Sequence, residues 1–321
     1  MSATRVFVPG SIGNVGPGFD MLGLAVAGIG DTVTLELTQG PAAVGSVSGR
    51  DAELIPRDPA KNCAVIAAQS YLRRAAVRGN PVVAFERRLP LSGGLGSSAA
   101  ASVAGAFAAA VASGGVKGAT VAAASPDVLQ WLLEAALDGE EAVAGRHLDN
   151  IAPCLLGGLC LARGVSPADA VQLQVRGSWW LTVVSPQLRL ATKDARAVLP
   201  ATVERKLFIE QMANTAGVIA AFATGDAALM RRSLHDHFAE PKRAPLIQNF
   251  DRVKKSALGA GALGCSISGA GPTLFALSSD LASAQASAEA MRAAFAPVGS
   301  EAHVGLVDQL GARVVSGASI A

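Results

Sequence analysis

The stretch "LPLSGGLGSSAAASVAGAFAAAV", Leu89 to Val111, sets three glycines and three serines directly ahead of an almost unbroken apolar run. One reading is a Ser-capped turn before a core helix. The other is a loop that wraps an anion and hands it to a helix start. Water solvates phosphate strongly, and backbone N–H groups replace that water only where side chains stay clear. Gly93, Gly94 and Gly96 allow the close approach and positive φ that such a loop needs. A helix beginning near Gly96 adds unpaired N–H groups and the positive end of its dipole. The hydroxyls of Ser97 and Ser98 are suited to phosphate or Mg²⁺.

Two other glycine loops compete. The G-x-x-x-x-G-K-[ST] loop is absent, because no lysine follows the glycines. "GLGSSA" fits the dinucleotide pattern G-x-G-x-x-A, which leaves a dinucleotide-dependent oxidoreductase as an alternative. Its context is poor: Leu89-Pro90-Leu91-Ser92 separates the strand from the first glycine, and no acidic residue ends a strand about twenty positions later.

Composition narrows the classes. The 321 residues suffice for one large or two ordinary domains, and half are apolar, enough for a core without metal or disulfide support. The 27 basic and 25 acidic side chains leave a formal charge of +2, with no basic block to suggest nucleic acid. Cys63, Cys154, Cys160 and Cys265 form no C-x-x-C pair, which points to reduced thiols and a cytoplasmic protein. "MSATRVFVPG" lacks a signal-peptide pattern, and the run from Ala99 to Val111 is too short to span a bilayer.

Strands are expected at "TRVFV" (ending at Pro9), "TVTLEL", "AVGSVSG", "PVVAFERRLP", "CLLGGLCLAR", "AVQLQVR", "WWLTVVSP", "GCSIS", "TLFALS" and "AHVGLVD". Helical spacing appears over about 61–77, 96–112 and 127–141, then from Thr202 through "AALMRRSLHD" and "NFDRVKKSALGAG", and in "LASAQASAEAMRAAF". The pattern is an α+β chain of two mixed domains, residues 1–165 and 166–321, divided near "RGVSPAD".

"PLSGGLGSSAA", Pro90 to Ala100, resembles the P-x-x-x-G-L-G-S-S-A-A signature of the GHMP superfamily of small-molecule kinases. "VPGSIGNVGPGFDMLGLAV", Val8 to Val26, and "SISGAGPTLFAL", Ser266 to Leu277, resemble its N-terminal and C-terminal motifs, so the likeness brackets nearly the whole chain. "GRHLDNIAPCLLGG", "TKDARAVLP" and "EPKRAPLI" are similar to segments of the branch that phosphorylates L-homoserine. Gly10 and Gly13 stand where Ala or Ser is expected, and Lys242 where an aromatic is common; no polar group needed by the chemistry is lost.

The resemblance implies the two-domain GHMP kinase fold, with a ribosomal-protein-S5-domain-2-like N-terminal half and a ferredoxin-like C-terminal half. It implies ATP and Mg²⁺ as cofactors, an early step of threonine biosynthesis, and a homodimer as a habit of the superfamily. A mevalonate-type kinase is the alternative within the superfamily, and a non-catalytic protein of the same fold would show a decayed site.

Carried over residue by residue, the nucleotide meets Asn62, Pro90, Leu91, Ser92, Gly93, Gly94, Leu95, Gly96, Ser97 and Ser98. Asn62 reads equally as a helix cap. The metal falls to Ser98 and Glu140, with Glu141 and Asp138 as neighbours that mimic Glu140. The acceptor zwitterion meets Asn14, Asp20, His147, Arg196 and Arg243; Asp20 suits its ammonium and the arginines its carboxylate. Asn150, His147 and Glu140 are the catalytic set. Asn150 replaces the aspartate of many relatives and cannot act as a base, so it would orient the hydroxyl for in-line attack. Arg87 and Arg88 either face the triphosphate or lie on a solvated strand edge.

Overall fold

A computed structural model describes residues 3–315. In chain order the N-terminal part runs β1 (Thr4–Gly13), β2 (Leu22–Thr38), β3 (Ala43–Gly49), α1 (Cys63–Arg74), β4 (Asn80–Arg87), α2 (Ser97–Ala112), α3 (Pro126–Glu141), α4 (Leu148–Leu156), β5 (Leu159–Val165) and β6 (Ala168–Leu173). The remainder runs β7 (Trp180–Pro186), α5 (Thr192–Ala197), α6 (Arg205–Thr224), α7 (Ala227–Ser233), α8 (Glu240–Arg243), α9 (Phe250–Gly259), β8 (Gly264–Ile267), β9 (Leu274–Ser278), α10 (Leu281–Ala294), β10 (Ser300–Leu306) and β11 (Arg313–Val314).

The first sheet has the order β11-β1-β2-β4-β3, and the β5–β6 hairpin joins it through β2. Among the described strands only β3 and β4 pair in parallel, so this is not the doubly wound parallel sheet that a dinucleotide domain needs. The second sheet, β10-β7-β9-β8, is antiparallel throughout. With α5–α9 after β7 and α10 between β9 and β10, it has the β-α-β-β-α-β plan of a ferredoxin-like unit. The division expected after residue 165 falls inside the β5–β6 hairpin, and β11 returns to the first sheet.

The opening stretch is answered by α2. From Ala99 to Ala110 every residue is buried, because the helix lies between the first sheet and helices α1 and α3. Small side chains let the helices close in: a Cβ on Gly105 would stand 2.0 Å from the Ala64 carbonyl oxygen of α1. The alanine run is therefore a packing device. No helix among the described residues is long and apolar enough to cross a membrane. All four cysteines are free, and burial pushes their thiols up.

Several local expectations need correction. Pro9 does not end β1; the strand continues to Gly13 through a register shift at Pro9/Gly10, a place where proline's missing N–H is tolerated. The strand expected over "CLLGGLCLAR" begins only at Leu159, since Cys154 to Leu156 close α4 before a turn at Gly157-Gly158. The helix expected from Thr202 starts at Arg205.

Candidate active site

A cavity of about 590 Å³ opens between the two sheets' units, lined from one side by the glycine loop and α3, and from the other by the segment around α5 and by Gly269–Gly271. The loop is pinned at its start. Asp31 of β2 accepts the N–H groups of Arg88 at 2.7 Å and Leu89 at 2.9 Å. Arg87 does not face the cavity as a free cation: its buried guanidinium lies 3.5 Å from Asp31 and donates to the Ser97 hydroxyl and the Leu89 carbonyl. Burial still pushes the Asp31 carboxyl up, against the pull of Arg87. Arg88 is exposed.

Further along, Asp51 accepts the Leu91 N–H at 2.9 Å. Gly94 has φ +85, and a Cβ there would meet the carbonyl oxygens of Ser268 at 2.6 Å and Gly271 at 2.9 Å. The Ser268 hydroxyl donates to the Gly94 carbonyl at 2.5 Å, and the Thr273 N–H to that of Gly93 at 3.2 Å. The C-terminal glycine motif is thus seated on the loop, and no side chain fits between them. Gly96 caps α2 in the left-handed conformation with no side-chain hydrogen bond, leaving the first-turn N–H groups open to the cavity beside Ser97 and Ser98. Such a cradle suits a polyphosphate.

Glu140 reaches this cradle from α3. Its Oε1 accepts from the Ser98 hydroxyl at 2.8 Å, while Oε2 is buried with no partner. Burial is the main cause, with Asp149 nearby, that pushes its carboxyl up to about 7. The neighbours are resolved: Asp138 is held by Arg74 at 2.9 Å and Arg146 at 3.0 Å, and Glu141 by Arg146 at 2.9 Å. Only Glu140 of the three lines the cavity. Two hard oxygen donors side by side, one with an unused lone-pair set, fit a Mg²⁺ ion that keeps several waters.

At the opposite end, Arg196 donates to Asp20 at 2.6 Å and lies 3.3 Å from His147 Nδ1. Burial and Arg196 lower the His147 pKa. Arg243 is buried and donates to the carbonyls of Ala195 at 3.0 Å and Gly269 at 2.9 Å. Phe19 is faced by both guanidinium groups, at 5.5 and 5.3 Å. Asn14 lines the cavity, yet its amide already donates to Gly269 and accepts from the Asp20 N–H, so it shapes the Asp20 turn. Asn62 likewise caps α1 by accepting from Ala64 and Val65 and donates to Pro56, while standing on the cavity wall. Asn150 is oriented by the Ser11 hydroxyl, which donates to its Oδ1 at 2.9 Å.

One carboxylate on the cavity wall has no part in the expected set. Asp149, 4% exposed, sits on α4 beside Asn150, and burial together with Asp20 pushes its carboxyl up to about 7. Its only sequence signal is adjacency to Asn150 in "HLDN". The folded state holds this proton between the ordinary carboxylate range and about 7, where the unfolded chain has released it. Stability therefore falls as pH rises through that window. The stability gap in favour of Asp149→Asn should widen from pH 5 to pH 8 by about 2–3 kcal/mol. Paired thermal melts at the two pH values check this, and an equal offset at both would refute it.

A glycine loop at a helix start, with Ser98 and Glu140 beside it and the Asp20–Arg196 pair across one cavity, is an arrangement suited to a small-molecule kinase. Residues 62–158 match the model for the GHMP kinases N terminal domain, and residues 218–297 that for GHMP kinases C terminal. The chain is 38% identical over 307 residues to a homoserine kinase of Chlorobium phaeovibrioides, covering 92% of each. The crystal structure of homoserine kinase from Cytophaga hutchinsonii superposes with a TM-score of 0.90 at 38% identity, covering 98% of each chain. Mevalonate kinase of L. major shares the fold at a TM-score of 0.69 and 15% identity, covering 96% of each chain. Within the GHMP kinases, this chain belongs to the homoserine kinase family.

Proposed function

We propose that this protein transfers the γ-phosphoryl group of ATP to the side-chain hydroxyl of L-homoserine, giving O-phospho-L-homoserine for threonine biosynthesis in the cytoplasm. The observation that carries the reading is the Asp20–Arg196 ion pair at 2.6 Å, with Arg243 beside it, at the far end of a cavity that starts at the glycine cradle. An anion and two cations are what an amino-acid zwitterion requires. Mevalonate offers Asp20 no ammonium.

The cradle amides of Gly93 to Ser98 hold the triphosphate, and Ser98 and Glu140 hold Mg²⁺. An ion held there would supply positive charge against the phosphates. Asp20 takes the substrate ammonium, while Arg196 and Arg243 take the carboxylate, with His147 supporting Arg196. Anchored so, the hydroxyl reaches back toward the cradle past Asn150, whose amide Ser11 holds in place. Phosphoryl transfer has a loose transition state and needs alignment and charge more than a base. Asn150 aligns the hydroxyl, and the proton leaves late, to a phosphoryl oxygen or water.

The test is coupled ADP release with homoserine, mevalonate and galactose side by side. Homoserine should exceed the other two by at least about a hundredfold in kcat/KM, since its two charged groups are both met. Equal rates, or a preference for mevalonate, would overturn the reading.

A further inference from the structure

The cradle has no lysine of its own, and the cations around the cavity are nearly all engaged. Arg87 is held by Asp31, Arg196 by Asp20, and Lys61 lies 3.8 Å from Asp58. Arg243 is turned onto two backbone carbonyls. Lys193 is the exception: it lines the cavity, is exposed, and among the described residues has no carboxylate within salt-bridge distance.

Its place in the fold matters. Lys193 lies on α5 three residues before Arg196, so the two share a helix face. Arg196 reaches the acceptor pocket. The chain entering α5 lies against the C-terminal glycine motif: Leu190 Cδ2 is 3.6 Å from where Gly271 would carry a Cβ, and the Gly271 carbonyl is one of the two that close on Gly94. Lys193 thus lines the same cavity from the segment that runs between Leu190, packed on the cradle side, and Arg196, paired with Asp20.

We infer that Lys193 is a further catalytic residue, whose ammonium binds the γ-phosphoryl oxygens and stabilises their charge during transfer. The inference rests on the kinase reading above. In the step, the acceptor hydroxyl oxygen forms a bond to γ-phosphorus as the bond from γ-phosphorus to the bridging oxygen breaks. ADP leaves with that electron pair, and the hydroxyl proton passes to a phosphoryl oxygen or water. Lys193 exchanges no proton; it supplies the positive charge that other nucleotide loops draw from a lysine of their own.

Lys193→Met and Lys193→Arg are compared with the parent. An exposed side chain on a helix surface can be exchanged without loss of fold. The methionine variant should lose about a hundredfold in kcat with KM for homoserine changed less than about threefold, and arginine should recover most of the loss. Affinities for ADP and for a non-hydrolysable ATP analogue give the second readout: the preference for the triphosphate should shrink about tenfold in the methionine variant alone. A methionine variant within about twofold of the parent in kcat and in that preference would overturn the inference. If the parent itself fails to phosphorylate homoserine, the proposed function falls, and the triphosphate preference still decides on Lys193.

Discussion

Glu140→Gln is expected to lower kcat by about a thousandfold while the protein remains folded. The expectation follows from the two oxygens of this carboxylate. Oε1 is occupied by the Ser98 hydroxyl at 2.8 Å, and Oε2 is buried without a partner. A glutamine keeps the size of the side chain and still accepts from Ser98, so packing on α3 is preserved. The amide has no charge to offer a divalent ion. Burial holds the parent carboxyl at about 7, so on the proposed reading protons and metal compete for it across the neutral range. Below about 7, each unit of fall in pH should raise the Mg²⁺ concentration needed for half-maximal rate by about tenfold, and above it the requirement should level off. Rates measured against Mg²⁺ at pH 6, 7 and 8 show the effect. Glu141→Gln, which loses only the outward pair with Arg146, should stay near the parent. A Glu140→Gln enzyme within tenfold of the parent would remove this residue from the site.

The parts of this site that were legible in the sequence are those with local causes. Glycines that must adopt positive φ, a cap residue such as Asn62 and an alanine run long enough for a helix are all set by near neighbours along the chain. That is why α2 and its loop are found within a residue or two. Arg87 shows the opposite case. On a strand it reads as a solvated cation, and only the pairing of β4 with β2 brings Asp31 beneath it. Asp149 is hidden for a related reason. Helix α4 has nine residues, carries Pro153 inside, and ends in an apolar run that reads equally as strand. Without the helix, nothing shows that Asp149 turns inward beside Asn150. Asp20, set between Phe19 and Met21, reads from the sequence as a carboxylate in need of a partner, but Arg196 stands out only through resemblance, since the two come from opposite units of the fold and meet across the cavity. Charge complementarity between distant segments leaves no periodic trace.

Asp20→Asn is expected to lower kcat/KM for homoserine by about three hundredfold, nearly all of it in KM, with KM for ATP little changed. Asp20 satisfies Arg196 at 2.6 Å. On the proposed reading, homoserine replaces that pair with two new ones, ammonium to Asp20 and carboxylate to Arg196. Both ends of the old pair stay neutralised only if the ligand carries both charges. 4-Hydroxybutyrate, which is homoserine without its amino group, brings a carboxylate that competes with Asp20 for Arg196 and leaves Asp20 uncompensated among Phe19 and Asp149. The parent enzyme should therefore reject it by at least about a thousandfold. In Asp20→Asn the competing anion is gone and Arg196 is free to accept a carboxylate, so homoserine loses its advantage while 4-hydroxybutyrate gains in absolute rate. From a thousandfold, discrimination should fall to about threefold or less. Side-by-side kcat/KM values for the two acceptors on both enzymes decide it. Loss of homoserine turnover with no gain on 4-hydroxybutyrate would mean that Asp20 only shapes the pocket and meets no ammonium.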